Sequence, residues 1–437
     1  MGYYSIFSNL FFILVFVTGM VSQQDKSLKT VDTQVIHAGA LIAVEKGQVI
    51  NDVVIVIEGK KIVKIEKGSA KTKYNPIVDL SEYTVLPGLI DCHSHLTSPY
   101  FDTSIDAYEM AIASYGVLGT VYAKKTLEAG FTSVRDVGGV FYSDVALRDA
   151  IHNDWIPGPR MYVSGKALTM TGGHGAWGNW LAPHMKLEPN PGFPADGEDE
   201  VRKQTRTLIK NGVDLIKINA TGGFGTSKSI PGAASFTIEE MKAAVQEANK
   251  NGLKVAAHAH GADGIKNAIK AGVNSIEHGT FLDDESVQSM KNQKVFLVMD
   301  LLAAHYELIE KNDDFSDKKT NLNNQEMFQK LSGNFNKAYT QGVKMAFGTD
   351  SGIYPHGRNA EQFNLMVKAG MSEMDALKSA TIIAAELIGI EDKTGSIEEG
   401  KWADLIAVKG NPLEDISLLE EVEFVMKEGK IYKSPIQ

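Results

Sequence analysis

The chain has 437 residues, 43% hydrophobic and 22% charged, the balance of a globular protein with room for one large domain and a smaller one. Its net charge of −10, from 44 basic and 54 acidic side chains without basic clusters, argues against nucleic acid or an anionic membrane surface as partner. A single cysteine, Cys92, rules out an intramolecular disulfide.

In chain order, the first feature is the apolar block Leu10 to Val17 (LFFILVFV), followed by small and polar residues. It reads as a secretory signal peptide over residues 1–22, cleaved near Ser22, which places the protein in the periplasm or outside the cell. The alternative is an uncleaved anchor, but the block falls short of the ~20 residues a span needs. No stable membrane span is therefore expected after cleavage.

Thr33 to Glu66 reads as short β segments: QVIHAGALIAV, DVVIVIEG and KKIVKIE, bounded by turn-forming EKGQ and EGKK. From Thr84 apolar runs recur with helical stretches between them. The eight runs are TVLPGLIDCHSHL, FTSVRDVGG, RMYVSGKAL, VDLIKINATGG, LKVAAHAHG, VNSIEHGTF, KVFLVMDLL and VKMAFGTDSG. One intervening helix, TIEEMKAAVQEANKNG, has a Thr cap and a Gly stop. The pattern predicts an α/β chain: a (β/α)8 TIM barrel over residues 85–394, with catalytic groups at the C-terminal strand ends. Residues 306–341, charged and Asn-rich, form a helical insertion. It reads as a solvated excursion or, because it follows the seventh strand, as a lid over the barrel mouth. Beyond Thr394 short β runs return, so residues 30–84 and 395–437 are expected to make one small discontinuous β-sandwich domain.

Chemistry-bearing residues gather at the strand ends. His93 and His95 stand at i and i+2, so both leave the same face of the first barrel strand. His258 ends the fifth run, His278 the sixth and Asp350 the eighth. Each alone could be a hydrogen-bonded core residue. Burying all of them at one barrel mouth without a cation would be expensive, so a metal site is the better joint reading. Lys217, in LIKINATGG, is either a salt-bridged core lysine or a lysine converted by CO2 into an anionic carbamate ligand; the residues themselves leave both open.

The motifs VLPGLIDCHSHL, AGFTSVRDVGG, TGGHG, DLIKINATGG, VAAHAHG, SIEHGT, AFGTDSG and GSIEEGKWADLIAV resemble the amidohydrolase superfamily. The likeness is to its imidazolonepropionase-related and Xaa-Pro dipeptidase-like metallocarboxypeptidase branch, over about Gln34 to Lys433. The resemblance implies two divalent metal ions, expected to be zinc. His93 and His95 would hold the more buried one, His258 and His278 the second, and carbamylated Lys217 would bridge them. Asp350 would ligate the buried metal and shuttle the proton. The implied reaction is attack of a metal-bridging hydroxide on the C–N bond of a dipeptide or N-acyl amino acid. His174, in TGGHG, is a pocket residue that polarises the carbonyl or holds substrate. His356 and Arg358, just after Asp350, are candidates for a substrate carboxylate. His260 is expected to support the ligands from behind, Arg135 and Asp136 to form a structural ion pair, and Cys92 to be core. Where dipeptidase-like relatives carry a tyrosine, this chain has KSIPGAASF, with Phe236 standing for the phenol.

Two other readings stay open: a cyclic-amide hydrolase or deaminase using the same centre, and a catalytically silent binding protein on the same fold. The latter predicts a lost ligand, whereas all six positions are filled. A homo-oligomer is compatible with the sequence.

Overall fold

The computed structural model describes residues 33–68, 74, 78–99, 109–187, 189–311 and 323–435. Thr33–Gln437 forms one compact unit. The signal peptide expected over residues 1–22 lies outside the described residues. Among those described, no helix is long and apolar enough to cross a membrane.

The chain enters through β1 (Thr33–Ala43), β2 (Gln48–Glu58) and β3 (Lys61–Lys67), an antiparallel meander, and returns through β4 (Val78–Pro87) parallel to β1. β2 is covered on both faces. Val53, Ile55 and Ile57 join one apolar cluster, while the alternate residues Val54 and Val56 join another with Val35. Gly39 sits where the β1–β4 pairing slips by two residues; a Cβ there would lie 2.0 Å from the Ser81 carbonyl oxygen.

The barrel follows. β5 (Leu89–Ser94), β6 (Phe131–Asp136) and β7 (Arg160–Val163) are parallel neighbours. The third run is split: β7 pairs with β6, whereas β8 (Leu168–Thr169) pairs with β9 (Phe193–Pro194) and with β10 (Leu215–Asn219). The Asp214 amide donates to the Val163 carbonyl at 2.7 Å and bridges the split. From β10 the parallel order continues through β11 (Lys254–Gly261), β12 (Ser275–Phe281) and β13 (Phe296–Val298).

The eighth run departs from expectation, because residues 343–352 form no regular strand. They still close the ring. Leu297 donates to Lys344 O at 2.9 Å on one side, and Cys92 to Phe347 O and His95 to Ser351 O, both at 2.8 Å, on the other. Two local features break the pleat. Gly348 passes so close to its neighbours that a Cβ would sit 2.2 Å from a Val298 methyl, and Asp350 has φ 57°.

The helices obey their end signals. Ile238–Lys250 starts on a capping box of Thr237 and Glu240, as its sequence implies, and stops before Gly252 at φ 68°. The insertion after β13 contains the helix Leu301–His305, a wider π-type turn Tyr306–Glu310, and the helix Asn324–Thr340. Residues 312–322 lie outside the described residues.

β14 (Leu405–Lys409), β15 (Phe424–Lys427) and β16 (Lys430–Lys433) complete the first sheet, in the order β16-β15-β14-β4-β1-β2-β3. Residues from both arms, Ile55 and Ile57 on one side and Leu405 and Phe424 on the other, share one cluster, so the sheet packs against itself as a sandwich does. Ile55→Ala should therefore lower unfolding free energy by roughly 2–5 kcal/mol, the cost of a cavity in a sealed core. An unchanged midpoint in urea would show that this cluster does not hold the arms together.

Candidate active site

β5, β10, β11, β12 and the eighth run all point their C-terminal ends into one cavity of about 750 Å³. His93, His95, His174, Lys217, His258, His260, His278 and Asp350 line it. All six ligand candidates from the sequence are therefore brought together. Two donor groups stand out, each with its ligand atoms within 4.8 Å of one another: His93, His278 and Asp350, and His258, His260 and His278. His278 belongs to both. His260, expected behind the ligands, is instead on the cavity wall, and the signal was its spacing: like His93 and His95, His258 and His260 stand at i and i+2 on one strand face.

Groups behind them fix the ring orientations. His95 Nδ1 donates to the Gly138 carbonyl (3.1 Å) and His278 Nδ1 to Asp300 Oδ1 (2.7 Å), which turns both Nε2 atoms toward the cluster. His260 Nδ1 pairs with the Thr280 hydroxyl at 2.8 Å. The His174 ring stacks on His258 with centroids 4.3 Å apart, and its Nδ1 meets the Thr226 hydroxyl at 2.8 Å. Gly223 makes room for that ring, since a Cβ there would lie 2.2 Å from His174 Nδ1. His278 and Asp350 both hold left-handed backbone, φ 71° and 57°, a strain of order 1–3 kcal/mol each that the surrounding structure must offset.

Beneath the cluster Arg135 meets Glu277, not Asp136 as expected. Its guanidinium donates to both Glu277 oxygens at 2.8 Å, to Ser275 Oγ at 2.9 Å and to the Cys92 carbonyl at 2.6 Å. Asp136 instead accepts from the Leu96 amide at 2.7 Å, because its side chain points at the loop after β5. Asp91 likewise ties β5 to the eighth run, accepting from the His93 amide, the Thr349 hydroxyl and Asn359. Glu277, Asp300 and Asp91 drew no attention in the sequence, where each is an isolated acid in an apolar run. Cys92 is fully buried, its thiol pushed up to about 12 by burial, as a core residue's would be.

Electrostatics follow from desolvation. Burial, then the Lys217 charge, lowers His93 well below the ordinary imidazole range. Burial, then neighbouring imidazoles, does the same to His258 and His260. His174 falls to about 3 and is neutral near pH 7. Burial pulls His278 down too, but Asp300 more than offsets it. Burial would raise Asp350; His93 and His95 instead hold it well below the carboxylate range, with Oδ1 at 3.4 and 3.0 Å from their Nε2 atoms. Lys217 is buried and lowered, and among the described residues its amine has neither a hydrogen bond nor a salt bridge. The salt-bridged reading of this lysine is thereby removed.

The donor set suits divalent cations. Imidazoles and a carboxylate converge, and His93 Nδ1 is buried without a hydrogen bond although Glu277 Oε2 lies 3.0 Å away. Two expected substrate contacts do not reach the cavity. His356 stacks on Tyr122 at 4.2 Å and pairs with Ser351 and the Ser98 carbonyl, while Arg358 is engaged by Glu310 and Glu361. The chain turns away at Gly352, φ 120°, so nearness to Asp350 in sequence does not carry into space. Phe236 packs in the main core and replaces no pocket phenol.

Residues 84–432 match the Amidohydrolase family. The chain belongs to that family. Among curated proteins this amidohydrolase is 33% identical over 427 residues to ochratoxinase of Aspergillus niger, covering 92% of this chain and 87% of that one. A solved Xaa-Pro dipeptidase with methionine in its active site is similar at 40% identity and TM-score 0.85, over 92% of this chain and all of that one. A prolidase complexed with N-methylphosphonate-L-proline is similar at 29% and 0.82, over 92% and 100%. The protein is a hydrolase of carbon–nitrogen bonds of the amide and peptide type on a TIM-barrel fold with an extra domain.

Glu277→Gln should destabilise the barrel by roughly 3–5 kcal/mol, because it leaves the Arg135 charge buried without its partner. Denaturant titration of the variant reads this directly; a loss under about 1 kcal/mol, the worth of an exposed pair, would mean the pair is solvated.

Proposed function

We propose that this amidohydrolase uses two divalent cations, expected to be zinc, to cleave the amide of a dipeptide or N-acyl amino acid. The observation that carries the reading is the pair of donor groups sharing His278, with an unpartnered, buried Lys217 amine in the same cavity. His93, His95 and Asp350 would hold one cation, and His258 and His278 the other. Burial lowers the Lys217 pKa and so favours the neutral amine, the form that takes up CO2 to become a carbamate, and carbamylated Lys217 would supply the bridging anion. Bound cations supply Lewis-acid chemistry, bringing the pKa of water to about 7 and polarising the substrate carbonyl.

The protein's own groups divide the remaining tasks. Asp350, held ionised, can accept the proton of the attacking water and return it to the leaving amine. His174 is neutral, and in the tautomer whose Nδ1 accepts from the Thr226 hydroxyl its Nε2 would carry a proton to offer the oxyanion. Cleavage of a leader over residues 1–22 would put this chemistry in the periplasm or the medium.

Elemental analysis and a panel of dipeptides, N-acyl amino acids and lactams test the reading. We expect two metal equivalents and turnover of the linear amides, with Lys217→Ala and Asp350→Ala each costing about 10³-fold or more in kcat/KM. Turnover confined to lactams, or full activity in the Asp350 variant, would overturn it. Separately, Asp300→Asn removes the carboxylate that orients His278 and should weaken metal binding by about 10–100-fold, read by titration against a competing chelator. Unchanged affinity would show that His278 ligates no cation.

A further inference from the structure

β11 carries the same pattern as β5: His258 and His260, like His93 and His95, stand at i and i+2 on one strand face. In the proposed centre both members of the first pair hold a cation, but only His258 of the second. The geometry treats His258 and His260 alike. The rings of His258, His260 and His278 form a nearly equilateral triangle, with centroids 4.5, 4.6 and 4.7 Å apart. One ligand atom from each lies within 4.8 Å of the others, and all three residues are buried.

Each ring is held from outside through one nitrogen. His258 Nε2 donates to the Gly222 carbonyl at 3.1 Å, His278 Nδ1 to Asp300 Oδ1 at 2.7 Å, and His260 Nδ1 pairs with Thr280 Oγ1 at 2.8 Å. A carbonyl and an ionised carboxylate only accept, so the second nitrogens of neutral His258 and His278 carry lone pairs. Among the described residues, the second nitrogen of none of the three rings makes a hydrogen bond. Buried lone pairs grouped without a donor are costly, and one shared cation satisfies them together.

The backbone is shaped to the same end. Between the pairs Ala259–His278 and Gly261–Phe281, β12 has three residues where β11 has two. This bulge falls where His278 and Gly279 hold φ 71° and 64°, and it brings the Thr280 hydroxyl to His260. The His260 amide donates to Thr221 Oγ1 at 3.0 Å, which pins the strand end as well. One strained bulge thus aims His278 and orients His260, as two ligands of a single ion require.

We infer that His260 is a third imidazole ligand of the second cation, beside His258 and His278, with Thr280 as its positioning residue. This rests on the proposed two-cation centre and deepens it. The two sites then differ in kind. The first combines imidazoles with the Asp350 carboxylate, whereas the group of His258, His260 and His278 contains no carboxylate. Three imidazoles suit zinc, cobalt or nickel and discriminate against magnesium and calcium.

The test is titration of the metal-free enzyme with cobalt(II) in bicarbonate buffer, read by its visible ligand-field spectrum and by competition with a chelator. The parent should bind two equivalents. His260→Ala should keep the first and weaken the second by more than about 100-fold, beyond the about 10–100-fold that removal of a supporting group costs. Only the spectrum of the second equivalent should change. Thr280→Val should weaken the second equivalent by about tenfold, with no further loss in the His260→Ala background, because it acts through that ring. His260→Asn, which keeps a hydrogen-bonding side chain, should match His260→Ala, and metal-free thermal midpoints near the parent's show that the variants fold. Parental affinity and spectrum in the two His260 variants would overturn the inference and leave the proposed function standing. Fewer than two equivalents in the parent would remove the two-cation centre, and this ligand with it.

Discussion

Arg135 and Glu277 meet inside the barrel, where Glu277 is wholly buried and Arg135 nearly so. Such a pair gives up a large hydration energy and returns it only if every lone pair and proton is used. Most of them are: Arg135 reaches the Cys92 carbonyl on β5, the Ser275 hydroxyl on β12 and both oxygens of Glu277, while Ser275 also donates to Glu277. Three strands that are not all adjacent are thereby locked at one height, and Glu277 stands under His93. The cluster above inherits its geometry from this floor.

The floor also decides what the upper layer can be. Six imidazoles, an amine and several carboxylates share a low-dielectric space, so charges there interact strongly and burial drives imidazoles and lysine toward neutrality. Neutral imidazole and neutral amine are the forms that ligate a cation or react with CO2. Asp350, His278 and His95 are shifted toward their charged forms against burial by their partners, and the first two also have strained backbones. Strain of this kind survives only where neighbours over-determine it, as Asp300 does for the His278 ring and as the His93 carbonyl does by accepting the Asp350 amide.

What could be read in the sequence follows the same division. The barrel and its polar strand ends were legible because the period-two side-chain direction and the β-to-helix alternation are local properties. His93, His95, His174, Lys217, His258, His278 and Asp350 accordingly converge on one cavity. The counterparts were not legible. Glu277 supports His93 from another strand, and Asp300 reaches His278 across 22 residues, relations that exist only after closure. Arg135 looked paired with its neighbour Asp136, but adjacent strand residues face opposite ways, so the period that located the histidines also forbids that pair. His356 and Arg358 failed for a comparable reason: the turn at Gly352 carries them behind the wall, where aromatic stacking and two glutamates occupy them. The eighth run had the composition of a strand, yet the close approach at Gly348 and the left-handed Asp350 trade regular pairing for the placement of a carboxylate.

Reactive groups and surrounding wall are thus built from different parts of the chain. The reactive groups sit on strand ends, whose positions are set by the barrel's closure and its buried ion pair and tolerate little change. Other parts of the cavity wall come from outside the strands, from the glycine-rich loop after β8 and from described residues that follow β13. A substitution there leaves the hydrogen bonds of the polar floor in place. One in the floor disturbs the cluster above it, because Glu277 Oε2 lies 3.0 Å from His93 Nδ1.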